Sequence, residues 1–378
     1  MHRLQRCLAG LTAVFVLVGA ACAPRAPASS AQPGGRAQTA AAQGDTLQGL
    51  IDAARQEGQL NLVWAPGLLG DSENIRRLAD GFNKHYGLNL NIQYTPGPPM
   101  TELTPRLIQE YQVNRRASTD VFVGYDSTTV QLIQADALAS SDWTSWAPNV
   151  RDPRLVAPQG MAVTFQTAIP GITYNTSRLT GDAVPRSLAA LLRPEYKGRI
   201  ASTPYGASFD RLATPEMWGE PRAMEYVSRL SDQLAGLIRC NELERIASGE
   251  FDALVFNCSQ SNTLSMKARG MPVDFVIPSD AALVVYIYLA VPKTAPNPPA
   301  AKLWINYILG REAQDLLFDS EFTDSHLVDG SKTAKDIDQL ERTGVKFTVS
   351  NVEFMQTHDV TELGRIVGDV QAILKKQR

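Results

Sequence analysis

Two cysteines, four aromatic side chains and a small set of charged and hydroxyl groups are the residues of this chain best suited to chemistry. Cys240 and Cys258 can join as a disulfide, remain two buried thiols, or hold a soft metal, although no histidine stands near either in sequence. Trp64, Tyr94, Tyr125 and Tyr205 can stack on a planar solute or cage a cation; their other use is to cap a hydrophobic core. Asp126 and Asp280 suit a cationic ligand, and Arg239 suits a carboxylate or phosphonate gripped at two points. Each also suits a solvated loop or a helix cap. Ser202, Thr203 and Ser259 stand where helices begin, so they either offer backbone N–H groups to an anion or cap those helices. Asn257 adds a neutral donor and acceptor. Catalytic patterns are missing: the sequence holds no G-x-S-x-G, H-E-x-x-H, Walker loop or G-x-G-x-x-G. His85, His326 and His358 read as surface residues. The expectation is a binding protein without catalytic residues, cofactor or metal site.

The elements that position these groups alternate between helix and strand. Leu47–Glu57 has helical spacing and stops at Gly58; Gln59–Trp64 alternates as a strand and breaks at Pro66-Gly67. A helix opens at Asp71-Ser72-Glu73 and a strand follows over Leu88–Tyr94. Helix is expected over Thr104–Arg116 and Ser127–Ala135, with strand over Asp120–Gly124 between them. Ile169–Asn175 reads as one extended segment. Strands then fall at Arg199–Ser202, Gly236–Arg239, Ala253–Asn257, Val273–Ile277 and Ala282–Val291, separated by short helices; the last is apolar throughout, as a buried strand requires. Ala300–Leu317 has the pattern of one long amphipathic helix, and two more helices flank a short extended piece at Lys346–Ser350. Such alternation builds parallel sheets covered on both faces. In open α/β sheets ligands collect beyond the carboxyl ends of the strands, which is why the residues named above, with Ser279 beside Asp280, are the site candidates.

At the N-terminus, Arg3 and Arg6 precede an apolar run from Cys7 to Ala21 that is too short for the roughly 20 residues of a membrane span. This is the pattern of a secretory signal peptide over residues 1–21. Gly19-Ala20-Ala21-Cys22 resembles a bacterial lipobox, with Gly19 where leucine is usual, and makes Cys22 the lipidation candidate; cleavage without lipidation is the alternative. Residues 22–45 are poor in apolar bulk and suit a flexible tether. The chain carries 36 basic and 39 acidic residues, so no basic excess points to nucleic acid and no polybasic patch to anionic lipid. Membrane association is expected through the anchor alone.

Six segments, in this order and spacing, carry a family resemblance: LIDAARQEGQLNLVWAPG, ADGFNKHYGLNLNI, PGITYNTSRL, VPRSLAALLRPEYKGRIASTP, ASGEFDAL and AAKLWINYILGREAQDLL. With them, the body resembles the iron(III)-type family of ABC-importer solute-binding proteins. The resemblance implies an α/β type II periplasmic-binding-protein fold, two lobes each with a mostly parallel sheet flanked by helices, and a ligand cleft at a hinge. It places lobe 1 at 46–165 with a return over 281–325, lobe 2 at 166–280, and C-terminal helices over 326–378. It also implies a monomer that closes on a small-molecule ligand and docks on an ABC permease. One departure bears on the ligand. Ferric-binding members carry adjacent tyrosines just after the strand matching Ala253–Asn257, and this chain reads Cys258-Ser259-Gln260-Ser261-Asn262 there. A small organic solute is therefore expected ahead of ferric iron or an iron complex. A ligand sensor for a signalling receptor and an extracytoplasmic enzyme on the same fold are the alternatives.

Overall fold

The computed structural model describes residues 45–376 apart from Asp71 and Ala207. The signal segment 1–21, Cys22 and the tether to residue 44 lie outside the described residues. Asp45, assigned to the tether from sequence, already belongs to the body: its carboxylate accepts from Ser141 Oγ at 2.8 Å and pairs with Lys302 Nζ at 2.5 Å. No helix among the described residues is long and apolar enough to cross a membrane.

Eleven strands are formed by the described residues, namely β1 (Gln59–Trp64), β2 (Asn91–Pro96), β3 (Phe122–Tyr125), β4 (Val163–Ala168), β5 (Gly171–Asn175), β6 (Ile200–Ser202), β7 (Leu234–Leu237), β8 (Ala253–Asn257), β9 (Val273–Val276), β10 (Leu283–Ala290) and β11 (Thr348–Ser350). In the first lobe β2 and β1 run parallel, a parallel bridge between Leu62 and Val121 joins β1 to the β3 segment, and β10 pairs antiparallel with both β3 and β4. The second lobe has the order β7-β6-β8-β5-β9, parallel except for β5. The second-lobe sheet is thus parallel with β5 alone reversed, while in the first lobe β10 and the edge strand β11, parallel to each other, both run against β3 and β4. The chain crosses once at Ile169-Pro170 and again between β9 and β10.

Local chemistry explains most boundaries. Thr46 caps the helix Leu47–Glu57 by accepting from Gly49 N, and Gly58 ends it in the left-handed region that a side chain resists. Every residue of β10 is buried, as its unbroken apolar sequence requires. Trp64, Phe82, Phe122, Phe165 and Trp304 fill the first lobe, while Tyr196, Phe209 and Phe256 fill the second.

Three expectations about the elements change. The extended segment expected at Ile169–Asn175 is the end of a two-strand passage, β4 and β5, either side of the crossing. Ala300–Leu317 divides into Pro298–Ile308 and Arg311–Glu321, because the chain turns at Leu309-Gly310. The C-terminal part holds three helices, Lys332–Arg342, Val352–Gln356 and Val360–Lys375, not two. Val352–Gln356 packs on the first-lobe helix Asp126–Gln134, and Val360–Lys375 packs on the second-lobe helices Phe209–Leu212 and Glu220–Ser231, so this segment touches both lobes. His326 is likewise no surface residue. It lies between Thr167 Oγ1 at 2.8 Å and the Tyr286 hydroxyl, and burial lowers its pKa to about 4.

Candidate functional site

The lobes face one another across a cleft of two chambers that share Tyr125 and Cys258. One, of about 480 Å³, is polar. Its first-lobe wall is the loop after β1, where Gly67, Leu69 and Gly70 all hold positive φ and curl the chain into the start of the helix Ser72–Tyr86. Trp64 fixes this loop from below by donating from Nε1 to Leu68 O at 3.1 Å. Its second-lobe wall is the start of the helix Gln260–Ala268, capped by Ser259, which accepts from Ser261 N. Two helix N-termini from opposite lobes therefore border one chamber, each bringing partial positive charge. Arg77 and Arg269 add full charges, one from each lobe; both are exposed, and neither has a carboxylate partner among the described residues.

Glu321 forms the floor. Its carboxylate accepts from Gly70 N–H and from the Gln166 amide, and burial pushes its pKa up to about 7, against the pull of those two hydrogen bonds. The Tyr125 phenol is pushed up to about 12, mainly by burial and further by the nearby Glu321 and Asp126 carboxylates.

The second chamber, of about 660 Å³, has largely apolar walls, among them Met100, Phe256, Met355, Leu363 and Val367. Its charged groups answer one another. Arg211 donates to Asp126 at 2.9 Å, to Ser350 Oγ at 2.8 Å and to Asp210. Asp126 also accepts from Ser127 N–H and from the Ser350 hydroxyl. Burial raises the Asp126 pKa while Arg211 opposes that shift.

Cys240 and Cys258 are joined as a disulfide with a Cα separation of 5.9 Å, tying the loop after β7 to the cleft end of β8. Just before it, Phe256 holds φ at 50°, a left-handed conformation that costs a bulky residue on the order of 1–3 kcal/mol. Gln260 grips the crossing segment twice, its backbone N–H donating to Ile169 O at 2.9 Å and its side-chain Oε1 accepting from Ile169 N–H at 2.7 Å. The second-lobe wall is thereby fixed to the crossing.

Of the residues proposed from sequence, Tyr125, Asp126, Thr203, Tyr205, Cys258 and Ser259 border the cleft. Six others do not. Trp64 is fully buried beneath its loop, and Tyr94 lies on another surface with its hydroxyl donating to Trp64 O at 3.1 Å. Ser202 and Asn257 are buried inside the second lobe, where the Asn257 amide donates to Thr173 and Thr263. Arg239 lies in a shallow hollow with Glu242 and Lys375. Asp280 accepts from the N–H groups of Leu188 and Ala189, capping a short turn instead of meeting a cation. Asp126, although at the cleft, has Arg211 as its partner. Sequence reasoning did not single out Arg77, Arg269, Gln166, Glu321, Arg211 or the C-terminal residues Leu363 and Val367.

Comparison with known proteins bears on this arrangement. Residues 114–357 match the family described as bacterial extracellular solute-binding protein. The Fe(3+)-binding periplasmic protein of Serratia marcescens is 26% identical over 159 residues, 41% of this chain and 45% of that protein, so the match spans under half of the relative's length. The crystal structure of the substrate binding protein of an ABC transporter from Agrobacterium tumefaciens superposes with a TM-score of 0.69 at 18% identity, covering 84% of this chain and 96% of that one. The periplasmic binding protein AfuA from Actinobacillus pleuropneumoniae, with exogenous fructose-6-phosphate bound, gives a TM-score of 0.62 at 17% identity over 84% and 99% of the two chains.

Proposed function

Because the chain belongs to the bacterial extracellular solute-binding proteins, we propose that it is the receptor of an ABC importer and captures a small anionic solute between its lobes. The observation that carries this reading is the pair Arg77 and Arg269, which line the polar chamber from opposite lobes, Arg77 from the second turn of one helix and Arg269 from the C-terminal cap of the other. An anion seated there meets donors from both sides, and it meets all of them together only when the lobes close. Closure is then favoured by the ligand's greater affinity for the closed form. Delivery to a permease and lipid attachment at Cys22 belong to the same proposal.

A phosphate-bearing ligand on the AfuA protein accords with an oxyanion in this position. Ferric iron is the second reading, favoured by the Serratia relative. Against it stand the neutral Ser259, Gln260 and Asn262 where phenolates are needed, and the Tyr125 phenol, which burial holds in its protonated form. Calorimetric titration with inorganic phosphate, small carboxylates, fructose-6-phosphate and ferric citrate tests the assignment. Binding of the organic or inorganic anions that is weakened in Arg77→Ala and Arg269→Ala supports it. Binding of ferric salts alone, indifferent to both arginines, would replace it with the iron reading.

A further inference from the structure

We infer that the solute is an acid with an apolar body, its oxyanion in the polar chamber and its hydrocarbon or aromatic part in the apolar one. The inference rests on the reading of the cleft as the ligand site and narrows the class of solute. The two chambers meet at Tyr125 and Cys258, so one molecule can occupy both. A bare oxyanion satisfies only the first. In the second, Arg211, Asp126, Asp210 and Ser350 saturate one another, leaving no free charge to hold a polar group. What remains is mostly apolar surface, with the hydroxyls of Thr101, Ser127, Thr203 and Ser208 set into it, in a space of a size that takes an organic molecule. Over the apolar part an organic group displaces water favourably.

The C-terminal helix Val360–Lys375 supplies one wall of this chamber. Leu363 and Val367 are four residues apart and lie on one face, with Gly364 beside them. Gly364 stands in open space, with no atom within 4 Å of an added Cβ. It is therefore a position where bulk enters the chamber without displacing backbone, and where replacing glycine inside a helix does not weaken the helix.

Calorimetric titration of the whole protein with two matched pairs, inorganic phosphate against phenyl phosphate and acetate against 4-phenylbutyrate, tests the inference. The phenyl-bearing member of at least one pair should bind ten times or more tighter. Gly364→Leu and Val367→Asn should each reduce that preference to threefold or less, read as the ratio of affinities within each pair. Equal affinity within both pairs, with Arg77→Ala weakening every ligand, overturns the inference and leaves the anion receptor standing. Preference for the phenyl compounds that survives both helix variants also overturns it. Absence of binding by all four, with Arg77→Ala without effect, overturns the anion receptor itself and this inference with it.

Discussion

Arg77 and Arg269 are exposed cations with no carboxylate partner among the described residues, and a charge-assisted hydrogen bond to a ligand oxyanion is the use their placement best serves. Removing either should weaken anion binding about tenfold, since bonds to charged groups contribute roughly 1.5–3 kcal/mol and exposure reduces that. The loss should shrink as salt is added, which titration at two ionic strengths would read. Glu321 gives a second prediction. Its folded pKa of about 7 lies above the roughly 4.3 of an unfolded chain, so the folded protein holds this proton more tightly. Stability from this group is full at low pH, falls between about 4.5 and about 7, and is level above that. Glu321→Gln should therefore gain stability relative to the parent by on the order of 1–3 kcal/mol between pH 5 and pH 8. His326 acts in the opposite sense, losing its contribution as pH falls from about 6.5 towards 4, but both proteins carry it and it cancels in their difference. Denaturant titrations across that range decide the matter, and parallel curves would mean the Glu321 carboxyl titrates normally. The strand-end rule found Tyr125, Thr203, Tyr205 and Ser259, because it locates backbone. It failed for Trp64 and Asn257, because successive side chains in a strand point to opposite faces and theirs point into the lobe. Arg77, Arg269 and Glu321 lie within or at the end of helices, where a strand-end rule does not look.

At the level of elements, the sequence pattern was enough to place β1, β8 and β10 almost to the residue, β1 by its alternation and β10 by its unbroken apolar run. β4 was passed over for a physical reason. Its sequence VTFQTA alternates, as a half-exposed strand does, yet every residue is buried. The polar side chains are satisfied from a distance: Thr164 by Ile287 O, Gln166 by Glu321 and Thr167 by His326, while Thr323 Oγ1 donates to the Thr167 carbonyl. Those partners arrive from far along the chain and leave no local trace. The break at Leu309-Gly310 was hidden for a different reason, since the apolar period continues across it while the axis turns. A Cβ at Gly310 would approach Tyr307 O and Asn149 Nδ2 at 3.0 Å. The disulfide makes a prediction at this level. Cys240–Cys258 closes a short loop that includes the helix Glu244–Ala247, and removing a native bridge of this kind commonly costs about 2–4 kcal/mol. The double variant Cys240→Ala/Cys258→Ala should lose stability in that range, measured by chemical denaturation. It should also weaken ligand binding, because Cys258 lies between the two chambers.

Over the whole molecule, the cleft is bounded by both lobes and by a C-terminal segment resting on each, so the role proposed above would couple ligand occupancy to shape. A ligand at a hundredfold excess over its dissociation constant should stabilise the folded protein by about 2.7 kcal/mol. Small-angle scattering should show contraction at the same ligand concentration, and stabilisation without contraction would place the ligand outside the cleft. The exchange of β5 and β10 between the sheets has a further consequence, which concerns the order in which the protein assembles. All five strands of the second lobe come from one uninterrupted stretch, so its sheet can close as soon as that stretch is free. The first lobe must wait: Tyr125 pairs with Ile287, and no closer segment can take the place of β10. Contacts so distant in sequence form slowly. Until they form, LVVYIYLA is an unpaired apolar strand of the composition that aggregates. We expect pulsed hydrogen exchange during refolding to protect the amides of β6 and β8 before those of β3. Simultaneous protection would refute this order. If it holds, the refolding yield of this protein is set by how quickly a single eight-residue strand finds the gap kept for it.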